Sequence, residues 1–236
     1  MKRISAVILI ALIVVTCTVT LAACSGGVTS KKDWDKAMDY MKNCDQLTIT
    51  YQQEKSTNGR IYKVHDNWTV VYDATGGKLY AEESIKTYNI LGSLTEQSSQ
   101  CQYVEITGTE MKNYTKNSVN NQSANWQETQ QTYGSEAECL EQLKQVFLSY
   151  LKLLDLDNFH YDDFTRKFGK YEKTEVINQK NNIWKLTFSD GKLDKVNFET
   201  KHVKGSSDID TNKIAITLTY SASITAPDGL ENATLK

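Results

Sequence analysis

Few side chains in this chain are of the types that carry out catalysis or bind metals. It has three histidines, His65, His160 and His202, and none stands at a metal-ligand spacing from another histidine or a cysteine. The five cysteines include no Cys-x-x-Cys pair, and the chain has no Gly-x-Ser-x-Gly nucleophile turn and no Gly-x-x-x-x-Gly-Lys phosphate loop. The sequence therefore predicts a protein that is not an enzyme and that binds no metal and no cofactor.

Acidic residues cluster in places, but their spacing does not match a metal-binding loop. A calcium loop beginning at Asp155 needs glycine at its sixth position and glutamate at its twelfth, where the chain has His160 and Arg166. Paired carboxylates such as Glu82-Glu83 are expected to lie on a solvated face rather than to act as an acid and a base. These residues therefore add no candidate for catalysis.

The N-terminus has the layout of a secretory signal. Met1-Lys2-Arg3 is positive, and the run from Ile4 to Ala23 carries no charge. The end of this run, Leu21-Ala22-Ala23-Cys24, resembles the lipobox of bacterial lipoproteins. The resemblance implies that residues 1–23 are a signal peptide that is removed, and that Cys24 carries a diacylglycerol thioether. Two acyl chains, such as palmitate, hold a protein stably at the extracytoplasmic face of the cell membrane. The alternative is an uncleaved N-terminal anchor with an incidental cysteine.

The rest of the chain is interpreted as one unit on a short tether. Residues 24–30 are the lipidated tether, and residues 31–236 are a single domain, because no repeat and no proline-rich linker divides them. Hydrophobic residues make up 39% of the chain, which is a globular composition. A net charge of −2 argues against a nucleic-acid partner. The membrane is the expected partner, through the diacylglycerol on Cys24.

Three cysteines remain once Cys17 leaves with the signal and Cys24 is acylated. An extracytoplasmic location permits a disulfide, and Cys44, Cys101 and Cys139 allow one bridge in three possible pairings. We interpret them as small buried residues with at most one bridge among them. The sequence leaves the pairing open.

Two amphipathic helices are predicted. Ser30 caps the first, and an apolar stripe runs from Trp34 to Met41 before the helix ends near Cys44. The second begins with the same capping pattern at Ser135 and has a longer apolar stripe, from Cys139 to Leu154.

Strands are predicted on both sides of the second helix, where apolar and polar residues alternate with a period of two. The gaps between them are too short for crossover helices, which favours an antiparallel meander. The last strand is expected to run from Ile214 to Ile224 and to end at Pro227. The polar segment Asn113–Gly134 is either a long loop or a solvated two-stranded arm. Turns are predicted at Asn58-Gly59, Asp66-Asn67, Gly76-Gly77 and Asp190-Gly191.

Three stretches carry a resemblance to a known class of proteins: Trp34–Tyr51, Phe188–Leu193 and Ile214–Pro227. With the lipobox, they resemble the LolA-like and LppX-like bacterial envelope lipoproteins. The resemblance implies an α+β, β-dominated fold, in which a strongly curved antiparallel sheet forms an unclosed β-barrel and helices cover its concave face. In that class the space between sheet and helices can hold acyl chains.

The predicted function is that of a membrane-anchored, non-enzymatic lipoprotein that binds or carries a hydrophobic or lipid ligand. Apolar side chains of the sheet and the second helix are expected to line its cavity, although the same residues can also pack to high density and leave none. The alternative is a surface interaction module with a filled core, which uses Asn113–Gly134 and exposed aromatic residues to bind a protein or a glycan. The ligand-binding residues expected for the first function are Trp184, Leu186, Phe188, Ile216, Leu218, Tyr220 and Phe147.

Overall fold

The computed structural model describes residues 27–56, 63–89, 91–120, 122–202 and 210–235. Cys24, the predicted signal and the predicted Asn58-Gly59 turn lie outside these residues. Strands predominate in the described part of the chain. Its elements, in chain order, are α1 (Lys31–Asn43), β1 (Gln46–Ser56), β2 (Lys63–Asp73), β3 (Lys78–Tyr88), β4 (Leu94–Thr107), β5 (Glu110–Val119), β6 (Gln122–Ser123), β7 (Gln127–Thr132), α2 (Glu136–Leu153), a 3-10 turn (Tyr161–Asp163), β8 (Thr165–Lys167), β9 (Lys170–Ile177), β10 (Lys180–Ser189), β11 (Lys192–His202), β12 (Thr211–Thr219), a second 3-10 turn (Leu230–Asn232) and β13 (Thr234–Leu235).

The strands of the described residues form one large sheet. Its order is β13-β7-β5-β4-β3-β2-β1-β12-β11-β10-β9-β8, with β6 paired to β5 beside this path. The pairs are antiparallel except for β13 with β7. Because β13 and β8 each pair with a single described neighbour, the sheet is open at both ends and does not close into a barrel. The predicted β-dominated, unclosed antiparallel sheet is confirmed at this level.

Two of the predicted turns are confirmed by their backbone geometry. Asp190 and Gly191 have φ angles of 50° and 72°, and a two-residue hairpin of type I′ needs both residues in this left-handed region. Gly77 has a φ of 62° in the turn between β2 and β3, and a Cβ there would lie 3.2 Å from the Cβ of Ile106. Glycine therefore meets both the conformational and the steric demand of that turn.

The predicted turn at Asp66-Asn67 is wrong. Both residues lie inside β2, where Asp66 is opposite Gln53 and Asn67 is opposite Gln52 of β1. β3 pairs with the other side of β2 over the same length. Pairing on both sides outweighs the local turn preference of Asp and Asn, so β2 is one strand rather than two.

The polar segment Asn113–Gly134 is part of the sheet rather than a loop or a separate arm. β5 pairs with β4 along its length, and β7 pairs with β5. Backbone pairing needs no apolar side chains, so a strand near the margin of a sheet can be polar on its exposed positions. Trp126 and Tyr114 of this segment are nevertheless buried.

Both predicted helices are confirmed, with their caps. The Ser30 Oγ accepts a hydrogen bond from the Asp33 backbone N–H at 3.2 Å, and the Ser135 Oγ accepts one from the Glu138 N–H at 3.3 Å. These bonds satisfy N–H groups that have no partner within the helix. No helix in the described ranges combines the length and apolar character needed to cross a membrane.

The two helices pack on the same side of the sheet, which we name the helix-bearing face. Their buried side chains join the strand residues that point to this face in one hydrophobic core. The helical contribution is Trp34, Ala37, Met38 and Met41 from α1 and Leu143, Phe147 and Leu151 from α2. The sheet contribution includes Leu47, Ile49, Val70, Tyr72, Leu79, Leu186, Val196, Ile216 and Leu218.

A second, smaller core lies on the opposite face. It contains Tyr103, Tyr114 and Trp126, with Ile224 and Leu230 from the C-terminal segment packed against it.

The expectation that the last strand runs to Pro227 is wrong. β12 ends at Thr219, because the chain leaves the ladder there and crosses the opposite face to reach β7.

The three cysteines of the described chain are unpaired. Cys44 and Cys139 are buried and Cys101 is partly buried. The structure therefore has no bridge among these three cysteines, and the expected burial is found for Cys44 and Cys139. Burial is the main cause that raises the pKa of the Cys44 thiol to about 11.

Candidate functional site

Most of the predicted ligand-binding residues lie inside the main core. Five are buried, with at most 9% of their surface exposed: Leu186, Phe188, Ile216, Leu218 and Phe147. The other two, Trp184 and Tyr220, are partly buried and pack against that core. Cys24, the predicted site of lipid attachment, is outside the described residues.

The space between the helices and these strands is filled by aromatic contacts. The Phe147 ring of α2 stacks on the Tyr72 ring of β2, with centroids 4.2 Å apart. The Trp34 ring of α1 contacts the rings of Phe188 and Tyr171 at centroid distances of 5.1 and 4.9 Å. At these positions the residues pack as a core and do not line an open cavity.

On the helix-bearing face, each of five neighbouring strands changes from a buried to a partly buried side chain at the same level of the sheet. On β1, Ile49 is fully buried, whereas Tyr51 on the same face is only partly buried. The helices therefore cover one half of this face and leave the next rows of side chains partly open. The buried residue and the partly buried one beyond it are Val70 and Trp68, Ile49 and Tyr51, Ile216 and Ile214, Val196 and Phe198, and Leu186 and Trp184.

The partly buried residues form a continuous surface, which we name the aromatic shelf: Tyr51, Trp68, Trp184, Phe198 and Ile214. Tyr51 is directly opposite Trp68, Phe198 is opposite Ile214, and Trp184 is opposite Phe198. The Trp184 and Phe198 rings are in contact, with centroids 4.5 Å apart. The sheet register thus places residues from five strands side by side.

Loop and helix residues hold the two ends of the shelf. The Phe159 ring, from the segment after α2, contacts the Trp184 ring edge-on at 5.5 Å. The Tyr150 ring of α2 contacts Trp68 at 6.1 Å, and its hydroxyl donates a hydrogen bond to the Gln102 Oε1. These contacts restrict the orientation of both tryptophan rings.

Two carboxyl groups stand beside the shelf. Glu83 of β3 is opposite Trp68, and Asp66 of β2 is opposite Gln53. Burial raises the pKa of Asp66 and that of Glu83, and the nearby charge of Asp66 raises the pKa of Glu83 further. The Asp66 Oδ1 is buried and has no hydrogen-bond partner among the described residues. Because this oxygen is shielded from solvent, Asp66 adds a partly desolvated carboxyl group beside the shelf rather than an open acceptor.

The expected solvated pair Glu82-Glu83 does not form. Successive residues of a strand point to opposite faces, so the two carboxyl groups are separated by the sheet. Both are partly buried, and Glu82 accepts a hydrogen bond from the Tyr80 hydroxyl at 2.9 Å. The alternation of β3 explains the difference.

A groove of about 600 Å³ crosses the same five strands, mostly on the face opposite the shelf. Its lining also includes Gln53 and two shelf residues, Phe198 and Ile214. We name it the polar groove, because amide and charged side chains make up most of its lining. None of the seven predicted ligand-binding residues lines it. No local pattern in the sequence marks this groove, or Tyr51, Trp68 and Phe198 of the shelf, as a binding site. The period-two pattern marks each strand's two faces, but the register that brings five strands together is a tertiary feature.

The described residues hold no group of three or more His, Cys, Asp or Glu side chains placed to bind a metal ion. The shelf offers apolar area, ring faces and two carboxyl groups, which suit reversible binding of an apolar or amphiphilic molecule. No protein-family model, no curated protein and no solved structure matches this chain.

Proposed function

We propose that this chain is a non-enzymatic lipoprotein, anchored through Cys24 at the extracytoplasmic face of the cell membrane, that binds a hydrophobic or amphiphilic ligand on the aromatic shelf. The observation that carries the proposal is the row of partly buried aromatic side chains beyond the helices. A single exposed apolar residue is ordinary, whereas a contiguous apolar surface marks a binding site. The LolA-like resemblance, with this face as the concave one, belongs to the same proposal.

The anchor is supported by the lipobox-like end of the N-terminal run and is tested by metabolic labelling with a palmitate analogue in a bacterial host. The wild-type chain is expected to incorporate label and to fractionate with membranes. Cys24→Ala is expected to lose the label. Cys17→Ala is the matched control, since it removes a thiol from the same apolar run. Equal labelling of the Cys24 and Cys17 variants would contradict the anchor.

The ligand is tested on a chain that begins at Ser25. Every described element lies between Gly27 and Leu235, so this chain keeps all of them. Native mass spectrometry reports any co-purified lipid, and titration with a fluorescent fatty acid reports uptake. Trp68→Ala and Trp184→Ala are expected to weaken uptake at least about tenfold, a loss of roughly 1.4 kcal/mol in binding free energy.

The matched control for the shelf variants is Tyr40→Ala. Tyr40 is an aromatic residue of α1 that is 42% exposed and lies outside the shelf. Its loss is expected to leave fatty-acid uptake unchanged. A wild-type chain that carries no lipid and takes up no fatty acid would rule out the ligand part of the proposal.

A second candidate function is a surface interaction module, and the filled core between helices and sheet favours it. Its partner surface is the exposed end of β7, where Gln130, Gln131 and Thr132 are accessible to solvent on both faces of the strand. Deleting Asn113–Gly134 would remove β5 and β7 from the sheet, so substitution is the better test. Replacing these three residues with lysine is expected to abolish capture of an envelope partner while fatty-acid uptake persists. Unchanged capture would exclude this surface.

A further inference from the structure

The polar groove is built from two adjacent rows of side chains that cross five strands. The first row runs Asn67, Gln52, Ala215, Asn197 and Lys185, each directly opposite the next in the sheet register. The second row, one step further along the strands, runs His65, Glu54, Lys213, Glu199 and Ile183. All ten residues line the groove.

Ala215 forms the floor of the groove. Its methyl group stands between the longer side chains of Gln52 on β1 and Asn197 on β11. The three residues are exposed, so the depression opens to solvent. Its volume of about 600 Å³ is within the range of about 300–1,000 Å³ for small-molecule sites.

The charged groups in the groove balance one another. Glu54 and Glu199 contribute two carboxylates, and Lys185 and Lys213 contribute two ammonium groups. The Lys185 Nζ lies 3.7 Å from the Glu199 Oε1. A hydrogen bond from Lys201 holds the pKa of Glu199 below its ordinary value, so Glu199 stays ionised and paired at neutral pH. A ligand with a large net charge would therefore face as many groove charges of its own sign as of the opposite sign.

The uncharged polar groups are carboxamides. Gln52, Asn67 and Asn197 are exposed, and among the described residues their side-chain carboxamides have no hydrogen-bond partner. Each carboxamide supplies two N–H donors and one carbonyl acceptor. Neighbouring hydroxyl groups on a sugar ring present the same alternation of donor and acceptor. The Ala215 methyl and the Ile183 side chain offer apolar contacts for the C–H face of such a ring.

We propose that the polar groove binds a neutral saccharide. The balanced charge disfavours an ionic ligand, and the carboxamide row beside an apolar floor matches a polyhydroxylated ring. This inference goes beyond the anchored carrier and does not rest on it, because the carboxamide row and the Ala215 floor lie on the face opposite the aromatic shelf. Phe198 and Ile214 border both surfaces. An acidic glycan and a peptide are the competing ligands that the test includes.

The test uses the chain that begins at Ser25 and a printed array of neutral and acidic glycans. Maltotriose, cellotriose and chitotriose are the neutral probes, sialyllactose is the acidic probe, and trialanine is the peptide probe. Calorimetry on the best array binder then gives its affinity. Retention of at least one neutral trisaccharide is expected, with sialyllactose and trialanine not retained.

Two kinds of variant locate the binding. Ala215→Trp fills the floor and is expected to weaken saccharide affinity at least about tenfold. Thr219→Trp is the matched control, because Thr219 is an exposed residue on the same strand and face but outside the groove. Asn197→Ala and Gln52→Ala truncate exposed side chains without touching the ladder, and each is expected to weaken binding several-fold.

Three results would overturn the proposal: no neutral glycan is retained, only sialyllactose or trialanine is retained, or the Ala215 and Asn197 variants bind as the wild type does. If Ala215→Trp fails to fold by circular dichroism, the two truncations decide. Trp184→Ala, on the shelf, is expected to leave saccharide binding unchanged. If this variant loses fatty-acid binding but keeps saccharide binding, the two proposed sites are shown to act independently.

Discussion

The ring of Phe147 on α2 lies flat on the ring of Tyr72 on β2, with their planes 7° apart and their centroids 4.2 Å apart. Phe147 is fully buried and Tyr72 is 3% exposed. The contact joins the second helix to the middle of the sheet. A stacked pair of this kind stabilises by about 0.5–1.5 kcal/mol beyond the area it buries. The pair therefore acts as a structural link, and the proposed ligand binding involves only the rows beyond the helix.

Phe147→Ala is expected to lower the free energy of unfolding by about 3–5 kcal/mol, because it leaves a cavity between α2 and the sheet. Urea titration followed by circular dichroism measures the change. Leu153→Ala on the same helix is the control, since Leu153 is 59% exposed and its loss should cost no more than about 0.5 kcal/mol. A small effect of Phe147→Ala would mean that the space between helix and sheet is not filled.

The helices could be predicted from the sequence because their signals are local. Ser30 and Ser135 each precede an acid and an apolar stripe, and each caps a helix in the structure. The Asp190-Gly191 hairpin is equally local. The Asp66-Asn67 turn failed because pairing with β1 and β3, which no local pattern reveals, holds both residues extended.

Asp66→Asn is expected to raise stability at pH 7 and to have little effect at pH 3. Burial raises the pKa of Asp66 above its ordinary value of 3.8, so the folded state binds more protons than the unfolded state above that pH. Stability from this group is therefore present at low pH and lost as the pH rises through the raised pKa. Because the side chain is only partly buried, we expect a gain of about 0.5–1 kcal/mol at neutral pH.

Thermal unfolding at several pH values measures this effect, as a rise of roughly 2–4 °C per kcal/mol in a chain of this size. Glu96→Gln, which alters an exposed side chain on β4, is the control and should change the melting temperature little. If Asp66→Asn were less stable than the wild type by the same amount at pH 3 and pH 7, burial of the charged carboxylate would not be the cause. The carboxyl group would then be needed for packing.

The candidate site was less predictable than the fold. The sequence placed Trp184 on a strand face with Leu186 and Phe188, and all three do share a face. It could not show that the helices stop short of Trp184, because helix placement along a sheet depends on packing between distant segments. The polar groove was invisible for the same reason, since Ala215 becomes a floor only when Gln52 and Asn197 flank it.

The thiols of Cys44 and Cys139 are expected to resist iodoacetamide in the folded protein at pH 8, and to react after unfolding without any reductant. Both are buried, and the pKa of Cys44 is raised to about 11, so little thiolate is present. Mass spectrometry counts the modified residues. Treatment with a reductant before unfolding is the control and should add no further label. A labelled cysteine that appears only after reduction would reveal a disulfide.

Trp126→Ala is expected to release the C-terminal segment from the opposite face. The Trp126 ring is 5% exposed, and its Nε1–H donates a hydrogen bond to the Asp228 carbonyl at 3.1 Å. The Trp126 carbonyl in turn accepts a hydrogen bond from the Thr234 N–H at 2.9 Å, where β13 joins β7. Losing the ring removes the packing that holds this segment, at a cost of about 3 kcal/mol.

Limited proteolysis measures this release as faster cleavage between Ser221 and Leu235. Trp126→Phe keeps most of the apolar contact and loses only the indole hydrogen bond, so a cost of about 1 kcal/mol and slow cleavage are expected. Since the polar groove and the aromatic shelf lie on other strands, both ligands should still bind the Ala variant. Equal cleavage of the Ala variant and the wild type would mean that contacts of Ile224 and Leu230, rather than Trp126, secure the segment.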